Sequence, residues 1–340
     1  MVKFMTKLIP VVLAGMVVLA GCGTQTAPAA STTPAAANNA QGTTAEKITI
    51  PVFAAGTLAA PFKELDQAFE AKYPNVTVQP QFGGSVKMVK NVTELKQPAD
   101  VVAVADYSVI PKYMFGDNGK QKYTDWYVGF ASNAITFVYT DKSKDQAKIT
   151  KDNWYQVLSE PGVQIGRSNP DTDPSGYQTL QMLNLAEKYY KIPGLEDKIL
   201  KNAPKTNIRD TETELLGALK TGNIDYLAIY KSDAKQNNLK YLDLPPQIDL
   251  SDPAYGDQYK DAVAKTQNGD LTGKPIVYAI TIPNNAPHAE WAQKYVAFLL
   301  GPEGQAILKK DGFGQLAKPY ANDPGKVPAE IRSLVDAWPK

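Results

Sequence analysis

The sequence predicts an α/β protein of two lobes joined by two extended strands. Three patterns carry this expectation. Strand-like runs alternate with helical ones, the rhythm resumes beyond residue 131, and two β-rich runs, 134–140 and 274–283, are placed to cross between the lobes. The lobes are expected at 47–131 with 278–340, and at 132–277. Each is an open sheet with helices on both faces, and the ligand belongs in the cleft of the resulting clamshell.

In the first lobe, Lys47 to Ala54 (KITIPVFA) is β-rich and runs into Gly56-Thr57. Phe62, Leu65 and Phe69 then recur at helical spacing until Tyr73-Pro74 stops the helix. Val76 to Phe82 is the next strand, Gly83-Gly84-Ser85 a turn, and Val86 to Leu95 a helix. Ala99 to Ala105 (ADVVAVA) is an apolar run of the length of a buried parallel strand. In the second lobe, Ala134 to Thr140 (AITFVYT) is a crossing strand and 153–159 a helix-containing segment. Asn169 to Gly176 makes a turn ahead of a long helix from Tyr177 to Tyr190. A short strand near Asn207, a helix at about Thr213 to Lys220 and a strand from Tyr226 to Tyr230 (YLAIY) follow. Lys274 to Pro283 (KPIVYAITIP) is the second crossing strand, and Ala289 to Leu300 a C-terminal helix. No tandem repeat appears.

The first 21 residues carry Lys3 and Lys7, an apolar run from Leu8 through Ala20, and Leu19-Ala20-Gly21 ahead of Cys22. This is the pattern of a bacterial secretory signal ending in a lipoprotein cleavage box. The run is shorter than the about 20 apolar residues of a spanning helix. Cys22 is the sole cysteine, which excludes internal disulfides and thiolate clusters and suits an acylation site. One acyl chain tethers weakly, so stable anchoring calls for the diacylglycerol plus N-acyl pattern. Residues 23–46 are Ala, Thr, Ser, Pro, Gln, Asn and Gly with one charge, Glu46, a composition that cannot offset its ordering entropy and reads as a flexible tether. The folded part is expected to work outside the membrane.

Removing Lys3 and Lys7 from 36 basic residues leaves 34 against 35 acidic ones, a net charge of −1. Nucleic acid is not an expected partner, because backbone phosphates require a concentrated basic surface. The single histidine, His288, lies in the helix-opening sequence APHAEW, where capping or surface placement accounts for it, and one histidine excludes a histidine-rich metal site. There is no GxSxG elbow. GDLTGKP, from Gly269, has the wrong glycine spacing for a phosphate loop and Pro275 in place of the hydroxyl residue. A lipid-anchored hydrolase built on His288 is therefore the weaker alternative, and the chain is expected not to be an enzyme.

What remains suits anion capture. Thr57 and Ser85 each sit where a strand gives way, through glycine, to a helix. Unpaired N–H groups and a hydroxyl there can hold an oxyanion without a cation, although each residue would equally serve as an N-cap. Asp173 in NPDTDPSGY and Glu212 in IRDTETELL lie at turn-to-helix junctions where an acid could simply cap. A carboxylate beside an oxyanion repels it unless its oxygen bonds the central atom. Molybdenum and tungsten can expand from four to six ligands; sulfur and phosphorus do not readily do so.

The blocks FAAGTLAAPF, GGSVKMVKNVTELKQPADVVAVADYSVIP, YTDKSK, DNWYQVL, SNPDTDPSGY, GNIDYLAIYKS and GKPIVYAITIPNNAP give the chain a resemblance to the archaeal-type tungstate/molybdate-binding proteins of ABC importers, the WtpA class. It covers nearly the whole folded part. The resemblance implies a type II periplasmic-binding-protein fold, each lobe an open mixed sheet flanked by helices, joined by two extended hinge strands. It implies tungstate or molybdate as the bound ligand, no cofactor, and delivery to an ABC permease by a monomer. By motif position, Thr57 and Ser85 would be first-lobe donors, Asp173 and Glu212 would bond the metal atom, and Tyr230 would donate its phenol to an oxyanion oxygen. Thr57 stands where the class commonly has serine. Ser175 and Gln178 replace residues that are often cysteine and arginine, changes expected to leave the coordinating carboxylate untouched. Sulfate or phosphate is the alternative ligand on the same fold.

Overall fold

A computed structural model describes residues 46–116, 119 and 121–338. The expected signal, acylated Cys22 and the tether up to residue 45 lie outside the described residues.

Lobe 1 begins with β1 (Ile48–Ala55), whose exit is a 3-10 turn, Gly56–Leu58, leading into α1 (Ala59–Lys72). Next come β2 (Val76–Gly83), α2 (Ser85–Thr93), β3 (Val101–Val104), α3 (Val109–Met114) and β4 (Val128–Ser132). The chain then passes through Asn133-Ala134 to β5 (Ile135–Tyr139) in lobe 2. There it forms α4 (Trp154–Leu158), β6 (Ile165–Ser168), α5 (Pro174–Tyr190), α6 (Leu195–Lys201) and β7 (Ile208–Arg209). A 3-10 turn, Glu212–Leu215, opens α7 (Leu216–Thr221), followed by β8 (Tyr226–Tyr230), α8 (Lys231–Gln236) and β9 (Lys240–Tyr241). After α9 (Gly256–Tyr259) and a small hairpin of β10 (Val263–Ala264) and β11 (Leu271–Thr272), the chain returns to lobe 1. It closes with β12 (Val277–Thr281), α10 (Ala289–Leu300), α11 (Pro302–Lys310), β13 (Tyr320–Ala321), α12 (Ala329–Arg332) and β14 (Asp336–Ala337).

The larger sheet has the order β14-β13-β4-β12-β3-β1-β2 and the smaller β7-β6-β8-β5-β9. Both are mixed. β2, β1 and β3 are parallel, as are β7, β6 and β8, whereas β12 runs antiparallel to β3 and β4, and β5 antiparallel to β8 and β9. The parallel triplets matter for function, because open parallel sheets bind ligands beyond their carboxyl ends.

The run Ala134 to Thr140 lies in the smaller sheet as β5, and the core of Lys274 to Pro283 lies in the larger one as β12. The crossings themselves are short and adjacent: Asn133 N bonds Ile276 O at 3.3 Å, Ile276 N bonds Leu250 O at 2.8 Å, and Ile135 N bonds Asp249 O at 3.0 Å. Sequence patterning gave no strand at β4. Gly129 interrupts the β-branched pattern, and a Cβ there would meet the Trp338 ring at 2.8 Å. The helix expected to open at Tyr177 starts three residues earlier, because Pro174 suits the first helical turn.

Lobe 1 packs α1 on α10 through edge-on rings: Phe69 lies 5.3 Å from Tyr295 and 5.7 Å from Phe298. Burial of each such ring stabilises by roughly 2–3 kcal/mol. Lobe 2 centres on Trp154, whose ring is tilted against Phe137 of β5 at 5.8 Å. His288 precedes α10, and its Nδ1 pairs with the buried Asp100 carboxylate at 2.8 Å. That carboxylate also accepts the His288 backbone N–H at 2.6 Å, which makes the histidine a structural clasp.

Candidate functional site

Each residue singled out by sequence lies at the carboxyl end of a parallel strand. Thr57 is in the 3-10 turn after β1, and its hydroxyl meets the Tyr278 hydroxyl at 2.9 Å. Ser85 opens α2 after β2; its Oγ accepts the Ala105 N–H at 3.0 Å, tying the helix start to the end of β3. Neither is an N-cap, positions taken by Ala55 and Gly84. Asp173 precedes α5 and Glu212 opens the 3-10 turn after β7, and neither junction has a side-chain cap. Tyr230 ends β8. All five are buried.

The two acids converge. Ser175 Oγ lies 3.0 Å from Asp173 Oδ2, 2.9 Å from Glu212 Oε2 and 2.6 Å from Ser168 Oγ. The charge of Glu212 also acts on Asp173. Ser175 has one hydrogen to donate, so it can satisfy only one of the two carboxyls at a time. Burial, followed by the charge of Glu212, pushes Asp173 well above the ordinary carboxylate range, and burial raises Glu212. A third acid, Asp233 on α8, is raised well above that range by burial and by Asp173.

Neutral groups complete the setting. Tyr230 donates its phenol to Gln178 Oε1 at 2.7 Å, and its ring stands edge-on to Tyr278 at 5.8 Å. Asn133, at the crossing, donates to Ser232 Oγ at 2.8 Å and to the Tyr278 hydroxyl at 3.3 Å. The hinge is therefore wired to Thr57 through one phenol.

The lobes meet closely around these residues. Lys87 N, in the first turn of α2, bonds Thr172 O at 3.4 Å, and Lys87 Nζ pairs with Asp210 at 2.9 Å. Tyr177 of α5 donates to the buried Asp106 after β3 at 2.8 Å, and Lys274 pairs with the same carboxylate at 3.0 Å. Burial alone would raise Asp106, but Lys274, the Ser108 amide and Tyr177 together hold it below the ordinary range. Lys87 and Lys274 are thus already paired with acids, while Lys90 and Lys112 reach across the seam to Asn268. A cleft of about 420 Å³ opens between the lobes, lined by Gly56, Gly84 and Lys87 on one side and Thr211, Thr213 and Asp233 on the other. The five predicted residues do not line it; chain neighbours of Thr57, Ser85 and Glu212 do.

Sequence reasoning missed Tyr278, Asn133, Asp106 and Asp233, and it underrated two positions. Ser175 and Gln178 were expected to stand clear of the coordinating carboxylate. Instead Ser175 bridges both acids and Gln178 accepts the Tyr230 hydrogen bond. Their place on the first turn of α5, directly after Asp173, was the available signal.

Two mixed α/β lobes, two adjacent crossings and a polar seam at the carboxyl ends of both parallel triplets define a two-lobed binding protein of the periplasmic-binding-protein fold. Residues 50–314 match the bacterial extracellular solute-binding protein family, and the chain belongs to it. The solute-binding role and extracytoplasmic location are those of the family. Among similar proteins, an uncharacterized solute-binding protein of Petrotoga mobilis is 40% identical over 299 residues, 86% of this chain and 92% of its own. The molybdate/tungstate-binding protein WtpA of Pyrococcus abyssi is 39% identical over 314 residues, 84% of this chain and 89% of its own. The WtpA of Thermococcus kodakarensis is 36% identical over 322 residues, covering 86% and 89%. The periplasmic molybdate-binding protein of Azotobacter vinelandii shares the fold, with a TM-score of 0.57 at 18% identity over 78% of this chain and 99% of that one.

Proposed function

We propose that the protein captures tungstate or molybdate between its lobes and hands it to an ABC permease, without catalysis. The observation that carries this reading is the convergence of Asp173 and Glu212 on one hydroxyl at the interlobe seam, among neutral donors and with Lys87 and Lys274 already paired. A bare dianion would gain little there. At 4 Å and an effective dielectric of 20, each carboxylate charge costs about 4 kcal/mol per unit charge of the ligand. A metal-centred anion that can add two oxygen ligands turns the same acids into bonds. Thr57 and Ser85 on lobe 1 would hold its oxygens, Asp173 and Glu212 would reach the metal, and Tyr230 would turn from Gln178 to the ligand. The two WtpA relatives support this choice of anion.

In this reading 47–131 with 278–340 and 132–277 are the bodies that close on the ligand, and the resting protein is a monomer. A signal at 1–21, acylation of Cys22 and a tether through residue 46 would hold it at the outer face of the membrane. Mass spectrometry of protein from a lipoprotein-processing host tests the acylation.

Calorimetry tests the ligand. Tungstate and molybdate should bind far more tightly than sulfate or phosphate. Sulfate binding as tight as tungstate removes the role of the acids at the metal, and no heat with either group-six anion removes the proposal. Asp173→Ala should weaken tungstate at least about 100-fold, the scale of a lost charged contact that leaves its partner buried.

A further inference from the structure

Asp233 is the acid for which the seam provides no partner. It follows β8 on α8, is 2% exposed, and lines the interlobe cleft beside Gly56 and Thr213. Its Oδ2 is buried without a hydrogen bond, whereas the carboxyls of Asp173 and Glu212 share Ser175. An orphaned carboxyl oxygen in a native interior needs a reason, because such groups are otherwise paired. We infer that Asp233 is a further ligand-contacting residue, a neutral acid that donates its hydrogen to an oxygen of the bound oxyanion. The inference rests on the oxyanion reading above.

The surroundings decide between a donor and an anion. Facing Asp233 are Asp173 from the start of α5, Glu212 from the 3-10 turn and Tyr278 from β12. Asp210, Glu214 and Lys87 share its cleft, and Lys87 is paired with Asp210. On its own helix, Lys231 is paired with Asp243, and the Lys235 stem lies against Gly312. Among the described residues no unpaired cation therefore faces Asp233, and two acids do. An ionised Asp233 would be buried, with Oδ2 unbonded, and repelled, and it would repel the ligand as well. As a neutral acid it has one hydrogen, no acceptor claiming it, and a place at the wall of the cleft. The same reasoning accounts for a polar side chain at this point, where an aliphatic one would pack at no electrostatic cost.

Titration calorimetry with tungstate at pH 7 on the mature chain, its Asp233→Asn and its Asp233→Ala variants tests this. The amide keeps a neutral N–H donor, so Asp233→Asn should bind within about threefold of the unaltered protein. Asp233→Ala should bind roughly 10- to 100-fold more weakly, the loss of one hydrogen bond to a charged group. Thermal melts of both free variants should stay close to the parent, which separates a ligand contact from a structural role. Asparagine binding tenfold tighter than the parent would mean an ionised, repelling Asp233 and overturn the inference. Alanine binding unchanged, in a parent that does bind tungstate, would overturn this inference alone. A parent that binds neither tungstate nor molybdate overturns the oxyanion reading itself.

Discussion

Gly84 offers the sharpest test of closure. Its backbone, φ −57° and ψ 132°, is open to any residue, so alanine brings no strain to lobe 1. Across the seam the situation differs. A Cβ there would lie 2.4 Å from Thr172 O and 3.0 Å from Asp210 O, both backbone atoms of lobe 2 with no rotamer to turn aside. Ordinary contact begins at 3.4 Å, so the lobes of Gly84→Ala must stay about 1 Å apart at this point. The Lys87 N to Thr172 O bond, already 3.4 Å long, is lost. Contacts from lobe 1 to a ligand held on lobe 2 stretch by a similar distance, which takes hydrogen bonds out of range. Two charge-assisted hydrogen bonds forfeited together amount to about 3–4 kcal/mol, or roughly 10²- to 10³-fold in affinity. Stability of the free protein should hold, or rise by about 0.4–1 kcal/mol from a less flexible unfolded chain.

Calorimetry gives the affinity, and small-angle scattering shows whether tungstate still compacts the variant. Gly217→Ala is the control. It lies on α7 with nothing within 4 Å of an added Cβ, and should leave affinity unchanged while favouring the helix by about 1 kcal/mol. A Gly84→Ala protein that binds tungstate like its parent, with the same compaction, would refute the argument that this seam closes on the ligand.

Three further substitutions separate the contributions. Tyr177→Phe removes a buried hydroxyl donated across the seam to Asp106, which keeps Lys274 and Ser108; tungstate affinity should fall roughly 10- to 100-fold by calorimetry. Lys87→Ala removes an ion pair whose side chains are 50% and 44% exposed, so affinity should change less than about fivefold, and titrations in rising salt should shrink that difference. Asp66, buried on α1 with the Tyr295 hydroxyl at 2.7 Å, is pushed by burial up to about 7 from 3.8. The native state therefore binds the extra proton, and the stability this contributes is full below pH 3.8 and lost as pH rises through about 7. Asp66→Asn should gain on its parent across that window, reaching roughly 2–4 kcal/mol by pH 8 in urea titrations; parallel pH profiles would contradict it.

Elements with a strong local pattern were legible in the sequence. β1 and β8 are apolar runs whose limits fall within a residue of expectation, and α1 is a helical stripe stopped at Tyr73-Pro74 as expected. Elements defined by pairing were not. β13 and β14 are two residues each and exist because β13 lies against β4. The region beyond Leu300 therefore gave no signal for them. The site divides the same way. Thr57, Ser85, Asp173 and Glu212 sit at strand-to-helix junctions that glycine, proline and hydroxyl residues mark. Tyr278 lies inside VYAIT and reads as core. Its phenol meets Thr57, 221 residues away, because β12 is inserted between β3 and β4 in a register that no local pattern specifies. Asp233, in KSDAKQ, has the composition of an exposed helix face and is nevertheless buried.

The division of chemistry between the lobes explains how capture can drive closure. Lobe 1 brings Thr57, Ser85 and Tyr278, all neutral; lobe 2 brings Asp173, Glu212 and Asp233, all acids raised by burial. With the lobes apart, water would solvate the acids and relieve that burial. Bringing the lobes together removes the water, so the free protein must hold protons there or bear uncompensated charge. Either cost falls on the closed form alone. A ligand whose central atom binds two of the acids removes the cost where it arises, and its oxygens take the donors of the opposite lobe. The differential affinity that shifts the protein toward closure thus comes as much from relieving the acids as from new contacts. An anion unable to accept carboxylate oxygens would leave that cost in place, which is why selectivity against sulfate and the energetics of closure should fail together in any variant that removes Asp173 and Glu212.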